Sequence, residues 1–133
     1  MTSIERNVTT TNETVIKGYD AIRASSDTDM KISYVLKKLG IGAGIKGYGY
    51  IKRAVHMVME NPEYTVLVTK WLYPDIAKEF DTSNTAVERL IRRAIQCIDC
   101  DDNIKITFLG YAKKTYTNKE FIIAIAELMG FNA

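Results

Sequence analysis

The sequence has few of the residues on which most metal, redox and nucleophilic sites depend. Its 133 residues include two cysteines and one histidine, His56. The cysteines form Cys97-Ile-Asp-Cys100, and a metal or redox site would need a second ligand pair or nearby histidines. Cys97 continues the helical apolar spacing that starts at Val87, so we expect a buried side chain there. His56 stands alone among apolar residues in the sequence, and we expect a structural role for it as well. No metal and no cofactor is predicted.

Long apolar runs are also absent. No stretch approaches the roughly 20 residues needed to cross a bilayer, and the polar segment Met1–Thr10 has no apolar signal-peptide core. We therefore expect a cytoplasmic protein that does not associate with membranes.

Catalytic constellations are missing as well. The chain shows no Ser/His/Asp or Cys/His set, and the glycine-rich segment Gly40–Gly47 has neither the dinucleotide nor the P-loop spacing. That segment predicts a tight connection between helices. The scattered carboxylates are interpreted as solvated helix faces, so no catalytic residue is assigned and an enzyme is not predicted. These carboxylates are Glu60, Glu63, Asp75 and Glu79.

The charge that is present is unevenly distributed. The net charge is +2, but residues 31–133 carry 15 basic and 11 acidic side chains, a balance of +4. Residues 1–29 are largely polar and predict an N-terminal arm, in which Val15, Tyr19 and Ile22 permit one short helix at 13–24. Residues 1–13 of this arm are expected to be disordered. Residues 30–133 predict one compact domain.

Apolar spacing and capping signals predict helices throughout that domain. The segment Ile104–Leu109 alternates apolar and polar residues, but a lone strand would have no partner, so a short helix ending at Gly110 is favoured. Thr117-Asn-Lys-Glu120 is a capping box that opens the last helix. The other predicted helices span 30–39, 48–59, 63–72 (broken before Pro74), 74–80 and 85–99.

The most informative segment runs from Tyr73 to Ile95. It reads as a short helix, a tight polar turn and a second helix, which is typical of a helix-turn-helix whose second helix lies in the DNA major groove. The inner face of this second helix is apolar, with Val87, Ile91, Ala94, Ile95 and Ile98. Its outer face carries Glu88, Arg89, Arg92, Arg93 and Gln96.

These outer residues suit base recognition. Arginine can bind guanine through O6 and N7, and a glutamate can accept a hydrogen bond from cytosine N4. The turn Thr82–Thr85 stands at the helix start, where backbone amides and short hydroxyls can hold phosphate. The alternative is a solvated face of a core helix, in which Glu88 pairs with Arg92 at i, i+4.

Four stretches resemble the C-terminal effector domain of the stage-zero sporulation response regulator of endospore-forming Firmicutes. They occur in the same order and at similar spacing, and the likeness covers residues 33–131. The stretches are Leu39–Ala54 with its Ile45-Lys-Gly-Tyr48 motif, Val68–Lys78, Val87–Ile95 and Thr117–Ile122.

The resemblance implies an all-α, compact six-helix domain that contains a helix-turn-helix and binds short DNA boxes, often in tandem, to activate or repress promoters. The last helix, from Thr117, would help tandem copies meet as a homodimer on double-stranded DNA, and contact with RNA polymerase is compatible with this role. By position, the base-reading residues would be Glu88, Arg89 and Arg92. The residues near the DNA backbone would be Thr82, Ser83, Asn84, Thr85 and Arg93.

Two departures from the family pattern bear on control and affinity. About 30 residues precede the matched region, too few for the family's receiver domain, so we expect DNA binding without phosphorylation. An alternative function follows: a receiver-less interaction module that pairs with a full-length regulator or competes for its boxes. Ala86 stands where the family usually has a basic residue, which implies one lost DNA contact, and Arg93 stands where a histidine is common.

Overall fold

Six α-helices form the fold of residues 28–130, the part of the chain that the computed structural model describes. They are α1 (Thr28–Leu39), α2 (Tyr48–Glu60), α3 (Tyr73–Glu79), α4 (Asn84–Ile95), α5 (Asp102–Leu109) and α6 (Asn118–Leu128). Residues 28–130 contain no strand, which confirms the all-α prediction. The predictions of disorder at residues 1–13 and of a helix at residues 13–24 concern a part of the chain outside the described residues. None of the helices described is long and apolar enough to cross a bilayer.

Helix α2 is central and contacts α1, α3, α4 and α6. Each long helix buries one apolar stripe, as the sequence spacing predicts. Complete burial of one such side chain stabilises the fold by about 1.5–3 kcal/mol. The fully or almost fully buried residues of the four longest stripes are Ile32, Val35, Leu36 and Leu39 in α1; Ile51, Ala54, Val55 and Val58 in α2; Val87, Ile91, Ala94 and Ile95 in α4; and Phe121, Ile122, Ile125 and Ala126 in α6.

Two of the shorter predictions are confirmed by the helix caps. The Asp101 side chain accepts a hydrogen bond from the Ile104 N–H at 2.9 Å, and α5 then runs to Leu109, so this segment is a helix and not a strand. Thr117 caps α6 by accepting from the Glu120 N–H at 3.2 Å. The Lys113 ammonium, with help from the Thr117 backbone N–H, lowers the pKa of the Glu120 carboxyl.

The predicted helix at 63–72 is not a single α-helix. A 3₁₀ turn spans Pro62–Thr65, and a π-helical turn, Val68–Leu72, leads directly into α3. The wider turn places Val68 and Leu72 in the core. The expected break before Pro74 is also wrong: Tyr73 is helical, with φ −62° and ψ −45°. Pro74 stands in the first turn of α3, a position that the fixed φ of proline suits.

Helix α4 ends at Ile95, four residues before the predicted end at Asp99. The chain leaves the helix because the Asp99 N–H donates to the Leu39 carbonyl at 2.9 Å, which ties this segment to the end of α1. Cys97 is consequently exposed and its thiol donates to the Arg93 carbonyl at 3.5 Å. The prediction of a buried Cys97 is therefore wrong.

His56, which stands among apolar residues in the sequence, has a polar partner in the structure. Its Nε2 lies 3.0 Å from Asp29 Oδ1, and the Lys52 ammonium lies 2.8 Å from the other Asp29 oxygen. Partial burial alone would raise the pKa of Asp29, but the hydrogen bonds from Lys52 and His56 outweigh it and hold that pKa below its ordinary value. These groups meet because Asp29, in the first turn of α1, packs across α2. Helix α1 begins at Thr28, two residues before the predicted domain boundary at Met30.

Candidate nucleic-acid interface

Helices α3 and α4 form the predicted helix-turn-helix. Asp81 takes a left-handed backbone conformation, with φ +54°, which aspartate tolerates better than most side chains. The Thr82 N–H then donates to the Ala77 carbonyl at 2.9 Å. Ala77 is buried, and its small side chain allows α4 to pack closely against α3.

A serine cap starts α4. Ser83 is extended and its hydroxyl oxygen accepts a hydrogen bond from the Ala86 N–H at 3.1 Å. Helix α4 therefore begins at Asn84, one residue before the predicted start. The cap uses the Ser83 oxygen as an acceptor, so the hydroxyl hydrogen remains able to donate to a ligand.

The outer face of α4 brings together the residues assigned to base reading. Glu88 and Arg92 form an ion pair at i, i+4, with 40% and 48% of their side chains exposed. Arg89 and Arg93 are exposed. Within residues 28–130, the side chains of Arg89 and Arg93 make no hydrogen bond or ion pair. The Glu88–Arg92 pair that the alternative interpretation predicted is thus present on the same face as two unpaired arginine side chains.

The residues assigned to the DNA backbone border this face. Ser83, Asn84 and Thr85 are exposed at the N-terminal end of α4, and Thr82 is half-buried. The first-turn N–H groups of a helix lack intrahelical partners and favour anions. The Ser83 cap satisfies the N–H of Ala86.

The glycine-rich connection Gly40–Gly47 contacts α4 on the side away from its charged face. Gly47 has φ +97°, and a β-carbon there would lie 2.3 Å from the Leu90 carbonyl oxygen and 3.3 Å from the Ala94 β-carbon. Only glycine allows the loop backbone to approach the helix this closely. The sequence predicted a tight connection but carried no signal of which glycine touches which helix.

Sequence reasoning also missed Asn118. Its side chain is buried and bonds to both helices of the helix-turn-helix. The capping-box pattern located the start of α6 correctly, but an asparagine at the first position of a helix is usually solvated. No local signal indicated a contact with residues 30 and 45 positions away along the chain.

Two open grooves flank the motif. One, of about 600 Å³, lies between α4 and the segment before α6, and Arg92, Lys113 and Lys119 contribute to its walls. Lys113 is paired with Glu120 at 2.7 Å. This groove extends the basic character of the α4 face toward α6.

The other groove, of about 530 Å³, lies between α2 and α3 and is lined by three of the four carboxylates expected on solvated faces, Glu60, Asp75 and Glu79. All three are exposed. Two of them have partners: Arg53 donates two hydrogen bonds to Glu79, at 2.8 and 3.0 Å, and the Tyr64 hydroxyl donates to Asp75. The Arg53 guanidinium lowers the pKa of Glu79, and the bond to Asp75 raises the pKa of Tyr64. Residues 28–130 hold no cluster of three or more His, Cys, Asp or Glu side chains that could bind a metal.

The family model described as sporulation initiation factor Spo0A C terminal matches residues 32–129. The chain belongs to this family. The match spans 98 of the 133 residues (129 − 32 + 1) and includes the whole helix-turn-helix. It confirms the resemblance found over residues 33–131.

Membership of the Spo0A C-terminal family identifies the class of activity. The family is a DNA-binding domain of sporulation initiation, a transcription-factor domain and not an enzyme.

Proposed function

We propose that this domain binds double-stranded DNA sequence-specifically, with α4 in the major groove. Glu88, Arg89 and Arg92 contact base edges, while Arg93 and the Thr82–Thr85 turn contact phosphates. The observation that carries this proposal is the exposed charged face of α4, because the opposite face of the same helix is buried in the core. A helix secured in this way presents its outer side chains in a fixed orientation.

The energies favour exchange of the Glu88–Arg92 pair for DNA contacts. An exposed i, i+4 pair contributes about 0.3–0.5 kcal/mol, whereas a bidentate arginine–guanine contact is worth about 1–3 kcal/mol of discrimination. Arg92 therefore gains by turning to a guanine, and Glu88 is released to accept from a cytosine amino group. The Glu88–Arg92 ion pair is therefore compatible with base recognition by these two residues.

We expect affinity for a DNA duplex to fall steeply with salt. The arginines and the α4 N-terminus would displace counterions from phosphates, with a slope of about −0.9 in log K against log salt for each phosphate contacted. About four contacts would lower the affinity about 100-fold between 50 and 200 mM salt. Fluorescence anisotropy titrations with a labelled duplex measure this slope.

The variant Arg93→Ala is the control for the salt experiment. It should reduce the slope by about one, since one phosphate contact is lost. An affinity that does not change over this salt range would contradict contact between the basic face and phosphates.

We further propose that the domain regulates transcription from short boxes on which two copies bind side by side. A single module in one groove buries a modest area, so one box should be bound weakly. Selection from random-sequence duplexes should recover a short box, and two adjacent boxes should bind about 10-fold more tightly per box than one in gel-shift titrations. Failure to enrich any sequence would contradict base reading, and equal affinity per box would show independent monomers.

A further inference from the structure

Asn118 is an unusual residue to find in this core. Among residues 28–130 it is the only buried side chain outside the apolar and aromatic set, with 9% of its surface exposed. A buried amide gains nothing from desolvation and is tolerated when its hydrogen bonds are made. An apolar residue of similar size would fill the same space without that requirement. The bonds that Asn118 makes therefore account for its presence.

Those bonds join three helices at one side chain. The Asn118 amide nitrogen donates to the main-chain carbonyl of Glu88 at 3.0 Å and to the Tyr73 hydroxyl oxygen at 3.1 Å. Asn118 is the first residue of α6, Tyr73 the first of α3, and Glu88 lies in α4. One side chain thus connects both helices of the helix-turn-helix to the last helix.

The bond to Glu88 acts on the part of α4 that faces DNA. Glu88 presents its side chain outward while its carbonyl points back toward α6. Arg89 directly follows Glu88, and Arg92 lies one turn beyond it. The tilt of α4 at Glu88 therefore sets the position of both guanidinium groups. Apolar packing is non-directional, whereas a hydrogen bond weakens steeply when its angle is poor. Apolar packing holds α4 against the core, and the Asn118 hydrogen bonds define the angle at which α4 lies on it.

We propose that Asn118 is a positioning residue for DNA recognition, which aligns α4 with the groove through the Glu88 carbonyl and is itself held by Tyr73. This inference rests on the proposed function, in which α4 reads bases. It predicts that loss of the Asn118 bonds reduces discrimination between sequences more than it reduces affinity for DNA in general.

The test compares variants that lack one or both of these bonds. Asn118→Leu keeps the branched outline of the side chain and removes both bonds. Tyr73→Phe removes one hydroxyl and keeps the ring. Thr117→Ala is the matched control, because it removes the neighbouring α6 cap and keeps the Asn118 amide, the Tyr73 hydroxyl and the Glu88 carbonyl. Affinities are measured for the box recovered by selection and for a shuffled duplex, at fixed salt and at a temperature where circular dichroism shows every variant folded.

We expect Asn118→Leu to reduce the affinity ratio between box and shuffled duplex about 10-fold, with the salt slope unchanged. Tyr73→Phe should reduce the ratio less, about 3-fold. Thr117→Ala should lower the melting temperature and leave the ratio as it is. An unchanged ratio in Asn118→Leu, or an equal loss in Thr117→Ala, would overturn the proposal.

A second measurement keeps this inference separate from the proposed function. Residual dipolar couplings report the orientation of α4 relative to α2 without DNA. The angle should change in Asn118→Leu and stay the same in Thr117→Ala. If the unaltered protein shows no sequence preference, the proposed function fails, and the couplings still decide whether Asn118 positions α4. An unchanged angle would refute the positioning role.

Discussion

Replacing Gly47 with alanine should lower the free energy of unfolding by about 2–6 kcal/mol. Two costs add in this variant. The left-handed conformation at φ +97° is strained for any residue with a β-carbon, and that β-carbon would lie 2.3 Å from the Leu90 carbonyl oxygen. The clash is with main chain in the middle of α4, so no side-chain rotation can relieve it. The loop or the helix must move.

Thermal unfolding followed by circular dichroism measures this effect. For a domain of this size about 1 kcal/mol corresponds to 4–8 °C in melting temperature, so a fall of at least about 8 °C is expected. Gly44→Ala is the matched control in the same loop, because a β-carbon there meets nothing within 4 Å. That control should be neutral or stabilising by up to about 1 kcal/mol. Similar melting temperatures for the two variants would contradict the close approach of Gly47 to α4.

The double variant Arg89→Ala/Arg92→Ala should lose about 2–6 kcal/mol of affinity for the preferred box, which is the sum of two bidentate guanine contacts. Each single variant should lose about 1–3 kcal/mol and relax the preference at one base position. Both side chains are exposed, so the melting temperature should barely change. Anisotropy titrations on the box, and on duplexes with one base pair altered, measure these losses.

Arg93→Ala is the control for this series. Arg93 is on the same helix and carries the same charge, but we assign it to a phosphate. Its loss should weaken all duplexes by a similar factor and leave the order of preference unchanged. Equal, sequence-independent losses for Arg89, Arg92 and Arg93 would show that α4 does not read bases.

Most of the fold could be predicted because its helices are locally specified. Helix α1 has a complete apolar stripe, α6 has its capping box, and α5 has an aspartate cap and a terminal glycine. The charged face of α4 could also be predicted, because helical spacing alone places Arg89 and Ile91 on different faces of the helix. These features depend on residues within one or two turns of each other.

The errors occurred where distant contacts override local preference. Helix α4 stops early because Asp99 bonds to Leu39, 60 positions away, and that early stop exposes Cys97. The π-helical turn at Val68–Leu72 forms because it brings both of its terminal side chains into the core. Asn118 could not be assigned because its two partners are set only by tertiary packing. Such contacts leave no trace in local periodicity.

The anchoring of α4 also has a consequence for the DNA. The helix is held through the Glu88 carbonyl near its first turn, against Gly47 at Leu90, and beyond its last turn, where Asp99 bonds to Leu39. It therefore has little freedom to tilt or slide in a groove that is too narrow or too wide. Under the proposed function, in which α4 enters the major groove, the duplex must adjust instead, and bending a site of roughly 20–30 base pairs costs about 1–6 kcal/mol, depending on its sequence. We expect preferred boxes to contain flexible pyrimidine–purine steps at positions that no side chain reaches.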